Sequence, residues 1–301
     1  MNMSEAKTDS RWQQRSQSPV NFYNLSVPIS SRFPSPAMHG PIVQYQWFDH
    51  KQGQRVLEKI YGTSNGLGLG TERIEMPVHV GTHMDAACHY SANGRLGDGS
   101  TVDETERRYG SSRLSIEKAN PLVGPGVLLD VAAYLGRSYL DAGEPIDAQL
   151  VEQAATSQGV IDALAGAVVL IRTGWLEARA LGGPDLGYLD GEPGISSNGC
   201  EWLIDRGVVA LGSDNHALEV LATDAGEIYP VHVQCLLAEQ YTPILENVNL
   251  TELSRDAVYQ FYLVAAPVPL VGASGAPIVP IAFPRNHGPL VSDGGEPEWT
   301  S

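Results

Sequence analysis

The chain has 301 residues and a formal net charge of −16. So acidic a chain argues against binding to nucleic acid or to anionic membranes, because both repel negative charge. Hydrophobic residues make up 43% of the chain and charged residues 18%, a composition typical of a globular protein long enough to bury a sizeable core. The three cysteines, Cys88, Cys200 and Cys235, are too few and too scattered for a disulfide framework, which favours a reducing cytoplasm.

Both ends of the chain look different from its middle. Residues 1–19 are polar and lack the apolar core of a signal peptide, so we expect a flexible leader. No segment approaches the roughly 20 apolar residues that span a bilayer. We expect a single domain over residues 20–287, followed by an exposed tail at 288–301.

Short apolar runs recur between segments of helical character. Runs rich in valine, leucine and isoleucine predict strands buried on both faces, and they lie at 126–131, 166–171, 207–211 and 262–266. Helices are predicted between Asp147 as the N-terminal cap and Gly159 as the end, and at 197–205 and 230–239. This alternation favours an α/β fold with helices flanking a sheet. Residues 31–78 show no clear periodicity and are expected to wrap over the site as a long loop, with Gly66–Gly70 as a flexible lid.

One short segment concentrates the metal-binding side chains of the sequence. Three imidazoles and a carboxylate fall within eleven residues, in the run His79-Val-Gly-Thr-His83-Met-Asp85-Ala-Ala-Cys-His89. Imidazole nitrogen and carboxylate oxygen are ligands that divalent transition metals prefer. In an extended segment His79, His83 and Asp85 would leave the same face, since the strand repeat is two residues. We therefore expect these three to bind a metal ion and His89 to act as general base, because its ordinary pKa lies near 6.5. A chance cluster of histidines is the structural alternative.

The spacing His79-x-Gly81-Thr82-His83-x-Asp85-x-x-x-His89 resembles the signature of the putative cyclase family of metal-dependent hydrolases. That family includes bacterial kynurenine formamidase, isatin hydrolase and enzymes that open lactones and cyclic amides. Ala87 stands where the family has proline, which removes no ligand. Further similar segments are Asn24–Ile29, Gly126–Val131, Arg172–Trp175, Asp214-Asn215 with Glu219, and His232 followed by Ile244–Asn247.

The resemblance implies a swivelling β/β/α fold, with a mixed sheet, flanking helices and long loops over the site. It also implies a homodimer or homotetramer and one or two Zn²⁺ or Mn²⁺ ions in each site. His232 and Glu246 can supply a second metal site with Asp85 bridging. Alternatively, Glu246 completes a single site while His232 orients substrate, or neither residue is a ligand.

The favoured activity is hydrolysis of a cyclic amide or lactone by activated water, with C–N cleavage preferred to C–O cleavage. Arylformamidase activity is the nearest alternative, followed by non-catalytic binding of a metal or small molecule, and by a cyclase, isomerase or dehydratase that uses the same base. Trp47, Phe48 and Trp175 are candidates for an aromatic substrate pocket, although single aromatic residues are often core residues. Asp214 and His216 are either orienters of the ligands or part of a polar loop after a strand.

Overall fold

The computed structural model describes residues 21–62, 64–181, 186–221 and 228–285. The expected leader at 1–19 and the expected tail at 288–301 lie outside the described residues. The strands are β1 Tyr23–Asn24, β2 Val43–Phe48, β3 Thr71–Glu75, β4 His83–Asp85, β5 Glu106–Arg107, β6 Gly110–Ser111, β7 Leu122–Asp130, β8 Pro145–Ile146, β9 Val168–Arg172, β10 Gly194–Ile195, β11 Ala210–Ser213, β12 Ile244–Glu246, β13 Gln260–Ala265, β14 Gly275–Pro277 and β15 Ile281–Pro284.

The helices are shorter and fewer than the strands. The α-helices are α1 His50–Tyr61, α2 Val102–Thr105, α3 Val131–Tyr134, α4 Ala148–Ser157, α5 Ser197–Ile204, α6 Pro230–Leu236 and α7 Thr251–Arg255. Single 3₁₀ turns occur at Ile116–Lys118 and Ile161–Ala163, and a π-helical turn at Glu177–Leu181. In the described part of the chain, no helix has both the length and the apolar character needed to cross a membrane.

A nine-stranded mixed sheet organises the fold, in the order β1-β15-β13-β7-β9-β11-β12-β4-β14. Strands β7, β9, β11 and β12 are parallel neighbours, and antiparallel strands extend the sheet on both sides. The mixed α/β class expected from the sequence is therefore confirmed. The four apolar runs lie in β7, β9, β11 and β13, where the structure has strands.

The centre of the sheet is buried on both faces. Along β7, Val127 and Leu129 join a core cluster that also contains residues of α4, α5 and α6. Leu128, between them, joins a second cluster, to which strands near both ends of the sheet contribute because the sheet curls around it. Strands covered on both faces read as continuous apolar runs, which explains why the sequence predicted them.

Helix α4 begins and ends as its sequence predicted. The Asp147 carboxylate accepts a hydrogen bond from the backbone N–H of Leu150 at 2.8 Å, and Gly159 follows the helix with a φ of 68°. Helix α5 falls within the predicted range, and α6 ends three residues before the predicted Glu239.

The expectation of a long loop over residues 31–78 was wrong. Strands β2 and β3 pair antiparallel, and α1 lies between them in sequence; we call residues 43–75 the arm. Helix α1 has a complete capping box in which Asp49 and Gln52 bond each other's backbone N–H. The Gly66–Gly70 segment packs against α1, since a Cβ on Gly53 would lie only 2.0 Å from the Leu69 carbonyl oxygen. Such close packing is at odds with a free lid.

Candidate metal centre

Two neighbouring strands bring the first donors together. His83 on β4 and Glu246 on β12 are direct partners in the antiparallel register, so their side chains share one face of the sheet. Asp85 lies two residues beyond His83 and shares that face as well. Helix α6 contributes His232, and the turn after β4 contributes His89.

The segment before β4 is not the extended strand that the spacing suggested. Residues 78–82 are bends, and only His83–Asp85 is strand. Gly81 has a φ of 64°, and a Cβ there would lie 2.9 Å from Ile29 Cγ1, so both conformation and space favour glycine. His79 therefore reaches Asp85 through a turn, and its Nδ1 lies 2.8 Å from Asp85 Oδ1.

The two carboxylates are surrounded by imidazoles. His83 Nε2 lies 3.5 Å from Asp85 Oδ1 and 3.2 Å from Glu246 Oε2. His232 Nε2 lies 3.6 Å from Asp85 Oδ2 and 3.3 Å from Glu246 Oε1. All four residues are buried. The same two imidazoles thus face the same two carboxylates.

Two of these buried atoms have no hydrogen-bond partner. They are His83 Nε2 and Asp85 Oδ2, and both point into the group of converging donors. A buried polar atom without a partner costs free energy, and a cation bound between nitrogen and carboxylate oxygen would satisfy both. The residues present therefore fit a divalent metal ion.

The charges of the site point in the same direction. Burial opposes protonation of His83 and His232, but hydrogen bonds and charge from the facing carboxylates raise the pKa of each to about 10. Burial and the repulsion from Asp85 oppose ionisation of Glu246, yet His232 and His83 lower its pKa to about 2. The pocket thus holds paired negative charge and draws positive charge to it, either as protons or as a metal ion.

The donors fall into two groups that share Asp85. One comprises His79, Asp85 and His89, and the other comprises Asp85, His232 and Glu246; within each, one potential ligand atom per residue lies within 4.8 Å of the others. His83 belongs to neither group by this measure, although its ring faces both carboxylates. His89 thus lies as close to the acidic centre as the residues predicted to be ligands.

His89 borders both the donors and an open space. Its ring stacks on that of His79 at 3.7 Å with an interplanar angle of 18°, and its Nε2 lies 4.0 Å from Asp85 Oδ2. Burial lowers the pKa of His89 to about 3, so the ring is neutral and has a free lone pair at neutral pH. His89 also lines a cleft of about 560 Å³ bounded by Tyr90, Arg107, Tyr109 and Ser274, among others.

Contacts from distant parts of the chain orient the donors. The Glu219 carboxylate lies 2.6 Å from His232 Nδ1 and accepts from the backbone N–H groups of Val231 and His232. Ser274 Oγ lies 2.8 Å from His79 Nε2, and the Tyr241 hydroxyl donates to the Asp85 carbonyl oxygen. Sequence reasoning singled out Glu219 through the family resemblance alone and assigned no role to Ser274 or Tyr241. No local signal marks these residues, because strand order decides their position.

Other residues named from the sequence have structural contacts. The Thr82 hydroxyl accepts from the Val27 N–H and donates to the Asn247 carbonyl, so it ties the start of β4 to the chain after β12. Asp214 accepts hydrogen bonds from Thr173 and Gly174. It therefore fixes the turn after β9, and no described contact joins it to a candidate ligand.

The aromatic candidates do not gather around the imidazoles. Trp175 is 1% exposed, and its indole N–H donates to the Tyr188 carbonyl; it packs as a core residue. Trp47 and Phe48 lie on the arm, where their rings contact each other at 5.8 Å and Arg73 covers Trp47 at 3.6 Å. The described contacts join neither of them to the candidate ligands.

Comparisons with known proteins agree with this architecture. A family model described as putative cyclase matches residues 23–220. The crystal structure of a novel cyclase is 26% identical with a TM-score of 0.75, over 90% of this chain and 89% of that chain. Isatin hydrolase A from Ralstonia solanacearum is 19% identical with a TM-score of 0.62, over 94% of this chain and 98% of that one. A predicted metal-dependent hydrolase from Bacillus stearothermophilus is 20% identical with a TM-score of 0.53, over 88% and 99% of the two chains. The last two likenesses concern the fold. A search of curated proteins gave no match.

Proposed function

Because the chain belongs to the putative cyclase family, we propose that it is a metal-dependent hydrolase that opens a cyclic amide or lactone. One observation carries the proposal. Buried imidazoles and carboxylates converge on Asp85, and two of their atoms, His83 Nε2 and Asp85 Oδ2, have no partner within the described chain. Groups of this kind are rarely left unpaired in the interior unless a ligand satisfies them.

The proposed ligands of a Zn²⁺ or Mn²⁺ ion are His79, His83 and Asp85. His232 and Glu246 either complete that site or hold a second ion with Asp85 as the shared ligand. When bound, such a cation polarises a carbonyl group and makes water acidic enough to attack it near neutral pH.

His89 is proposed as the general base and then the general acid. Its neutral imidazole takes a proton from the attacking water and returns it to the leaving nitrogen or oxygen. Two observations support this role: the stack on His79, which places the ring beside the donors, and the cleft on which His89 opens. His89 also lies close enough to Asp85 to be a ligand, and the two roles predict different variants.

The cleft suits a small substrate with a flat apolar body. Its lining includes the apolar groups of Tyr90, Leu96, Val102 and Tyr109, while its polar groups lie around His89 and Ser274. This supports a cyclic carbonyl compound, with an amide favoured over an ester. We propose to screen a panel of isatin, simple γ-lactams and dienelactones with several metals.

The decisive experiment compares His89→Ala with the wild type. A general base can be removed without removing the metal, so turnover should fall by about 10²–10⁴-fold while the bound metal, measured by elemental analysis, is unchanged. His50→Ala is the matched control, because His50 begins α1 and lies outside the cluster. Loss of metal from His89→Ala would make His89 a ligand. Full turnover by chelated wild-type protein would end the proposal of a metal-dependent hydrolase.

Arylformamidase activity is the alternative that the second donor group favours. Asp85, His232 and Glu246 form a separate triple, which is what a two-ion site needs, and two ions are what the resemblance to formamidases implies. Turnover of formylkynurenine in preference to every cyclic substrate would select this alternative. A protein that binds these compounds without turning them over would instead be a binding protein.

We also propose that the chain forms a homodimer or homotetramer through the arm. Val43, Tyr45, Trp47 and Ile74 are between 42% and 52% exposed on its two strands. A two-stranded pair has little stability of its own, and a row of exposed apolar side chains on it is typical of a surface that another subunit covers.

A further inference from the structure

Two histidines that the proposed mechanism does not use lie beside the candidate metal centre. Six of the eight histidines of the chain are in this region. Four of them are candidate ligands or the base, and the other two are His39 and His216. The ring centroid of His39 lies 5.6 Å from that of His79 and 6.5 Å from that of His216.

Both rings face the acidic centre. The charged groups that act on His39 and on His216 include the same three residues: His83, Asp85 and Glu246. Neither histidine belongs to a group of converging metal donors, so a third metal site has no support among the described residues.

The backbone holds both histidines in place while their rings stay unpaired. The turn before His39 is closed by a hydrogen bond from its N–H to the Pro36 carbonyl at 2.9 Å. The His216 N–H donates to the buried Glu192 carboxylate at 2.7 Å. No hydrogen bond within the described chain engages either imidazole, and both residues are only partly buried.

Such rings are donors that await an acceptor. Burial lowers the pKa of His39, and lowers that of His216 to about 4, so each is a neutral imidazole with one N–H to donate. A core histidine would have spent this N–H on a carbonyl or carboxylate of the protein, since half-buried polar groups pair where they can.

We infer that His39 and His216 form a second wall of the active site, whose N–H groups bind an acceptor oxygen of the substrate other than the carbonyl that is attacked. The inference rests on the proposed function and narrows its substrate class. It favours cyclic amides or lactones that carry a carbonyl or carboxylate oxygen next to the scissile bond, and it disfavours simple lactams and lactones.

The test is a binding measurement with two matched acids. Phenylglyoxylate and phenylacetate share a ring and a carboxylate, and they differ in the ketone oxygen beside the carboxylate. Calorimetric titration of the Zn²⁺-loaded wild type should show phenylglyoxylate bound about two- to tenfold more tightly, the range for one hydrogen bond between neutral groups. The preference should fall towards one in His39→Phe or in His216→Phe, with phenylacetate binding unchanged within about twofold.

Controls separate this inference from the function on which it rests. His50→Phe should keep the preference, and replacing His216 with glutamine, which retains an N–H donor, should restore part of it. Metal content and melting temperature of each variant show whether the site is intact. Two acids bound equally by the wild type, or a preference that survives both phenylalanine substitutions, would overturn the inference alone. A loaded wild type that binds neither acid would overturn the inference and count against the proposed function as well.

Discussion

Gly275 on β14 offers a way to disturb one candidate ligand without changing any chemical group of the site. Its backbone has no positive φ, so alanine is tolerated conformationally, but a Cβ there would lie 2.6 Å from His79 Cε1 and 3.0 Å from His79 Nδ1. Carbon atoms pack at about 3.5–4.0 Å, so the His79 ring would have to retreat by about 1 Å.

That retreat has no free direction. The ring is held by Asp85 and Ser274 at its two nitrogens, and His89 stacks on it at 3.7 Å. Overpacking of this kind costs about 1–3 kcal/mol. If His79 is a ligand, Gly275→Ala should weaken metal binding by about 5- to 150-fold, since 1.4 kcal/mol is tenfold in affinity.

The assay is competition for Zn²⁺ with a chromophoric chelator. Gly124→Ala is the matched control, because Gly124 lies within β7 and a Cβ there meets no atom within 4 Å; it should bind metal as the wild type does. Zinc affinity of Gly275→Ala within twofold of the wild type, in a variant that melts normally, would refute the claim that His79 holds the metal where the structure places its ring.

Three further predictions concern orientation, pH and assembly. Glu219→Gln should lower zinc affinity by about 10- to 100-fold, as loss of an outer partner of a ligating histidine does, whereas Glu252→Gln on exposed α7 should not; the chelator assay decides. The raised pKa values of His83 and His232 mean that the metal-free fold binds extra protons, so their contribution to stability is full below about pH 6.5 and is lost as pH rises towards 10. The difference in melting temperature between loaded and metal-free protein should therefore grow with pH, and a constant difference from pH 6 to 9 would contradict the pairing. Light scattering should find a homodimer or homotetramer that Trp47→Glu weakens and Val279→Glu, on another exposed surface, does not; a monomeric wild type would end the proposal for the arm.

The sequence predicted the part of the fold whose burial is uniform. The apolar runs of β7 and β9 reflect strands covered on both faces, and the ends of α4 follow from the side chain of Asp147 and the backbone freedom of Gly159. Such signals are local, and neighbouring residues are enough to produce them.

The arm was missed although it carries local signals. Val43, Tyr45 and Trp47 alternate with glutamines, as strand residues do, and Asp49 with Gln52 forms a capping box. The surrounding prolines and glycines hid the alternation, and the arm pairs only with itself, so composition alone suggested a loop.

The metal centre was predictable only in its first half. The spacing of His83 and Asp85 puts them on one face of a strand, and this holds in the structure. Ser274 and Tyr241 reach the site from more than 150 positions away, because β14 and β12 are the neighbours of β4. Strand order is a property of the whole fold, and no window of sequence contains it.

The charge balance of the centre connects its protons to its metal. Asp85 and Glu246 are buried together, and two buried carboxylates repel each other unless positive charge lies between them. In the metal-free protein the protons of His83 and His232 supply two positive charges, and one divalent cation supplies the same number in the same place. A second cation would leave a surplus of positive charge, which an anion has to offset. We therefore expect one resident ion to be favoured by the protein alone, and a second to depend on an anionic ligand such as the carboxylate that hydrolysis releases.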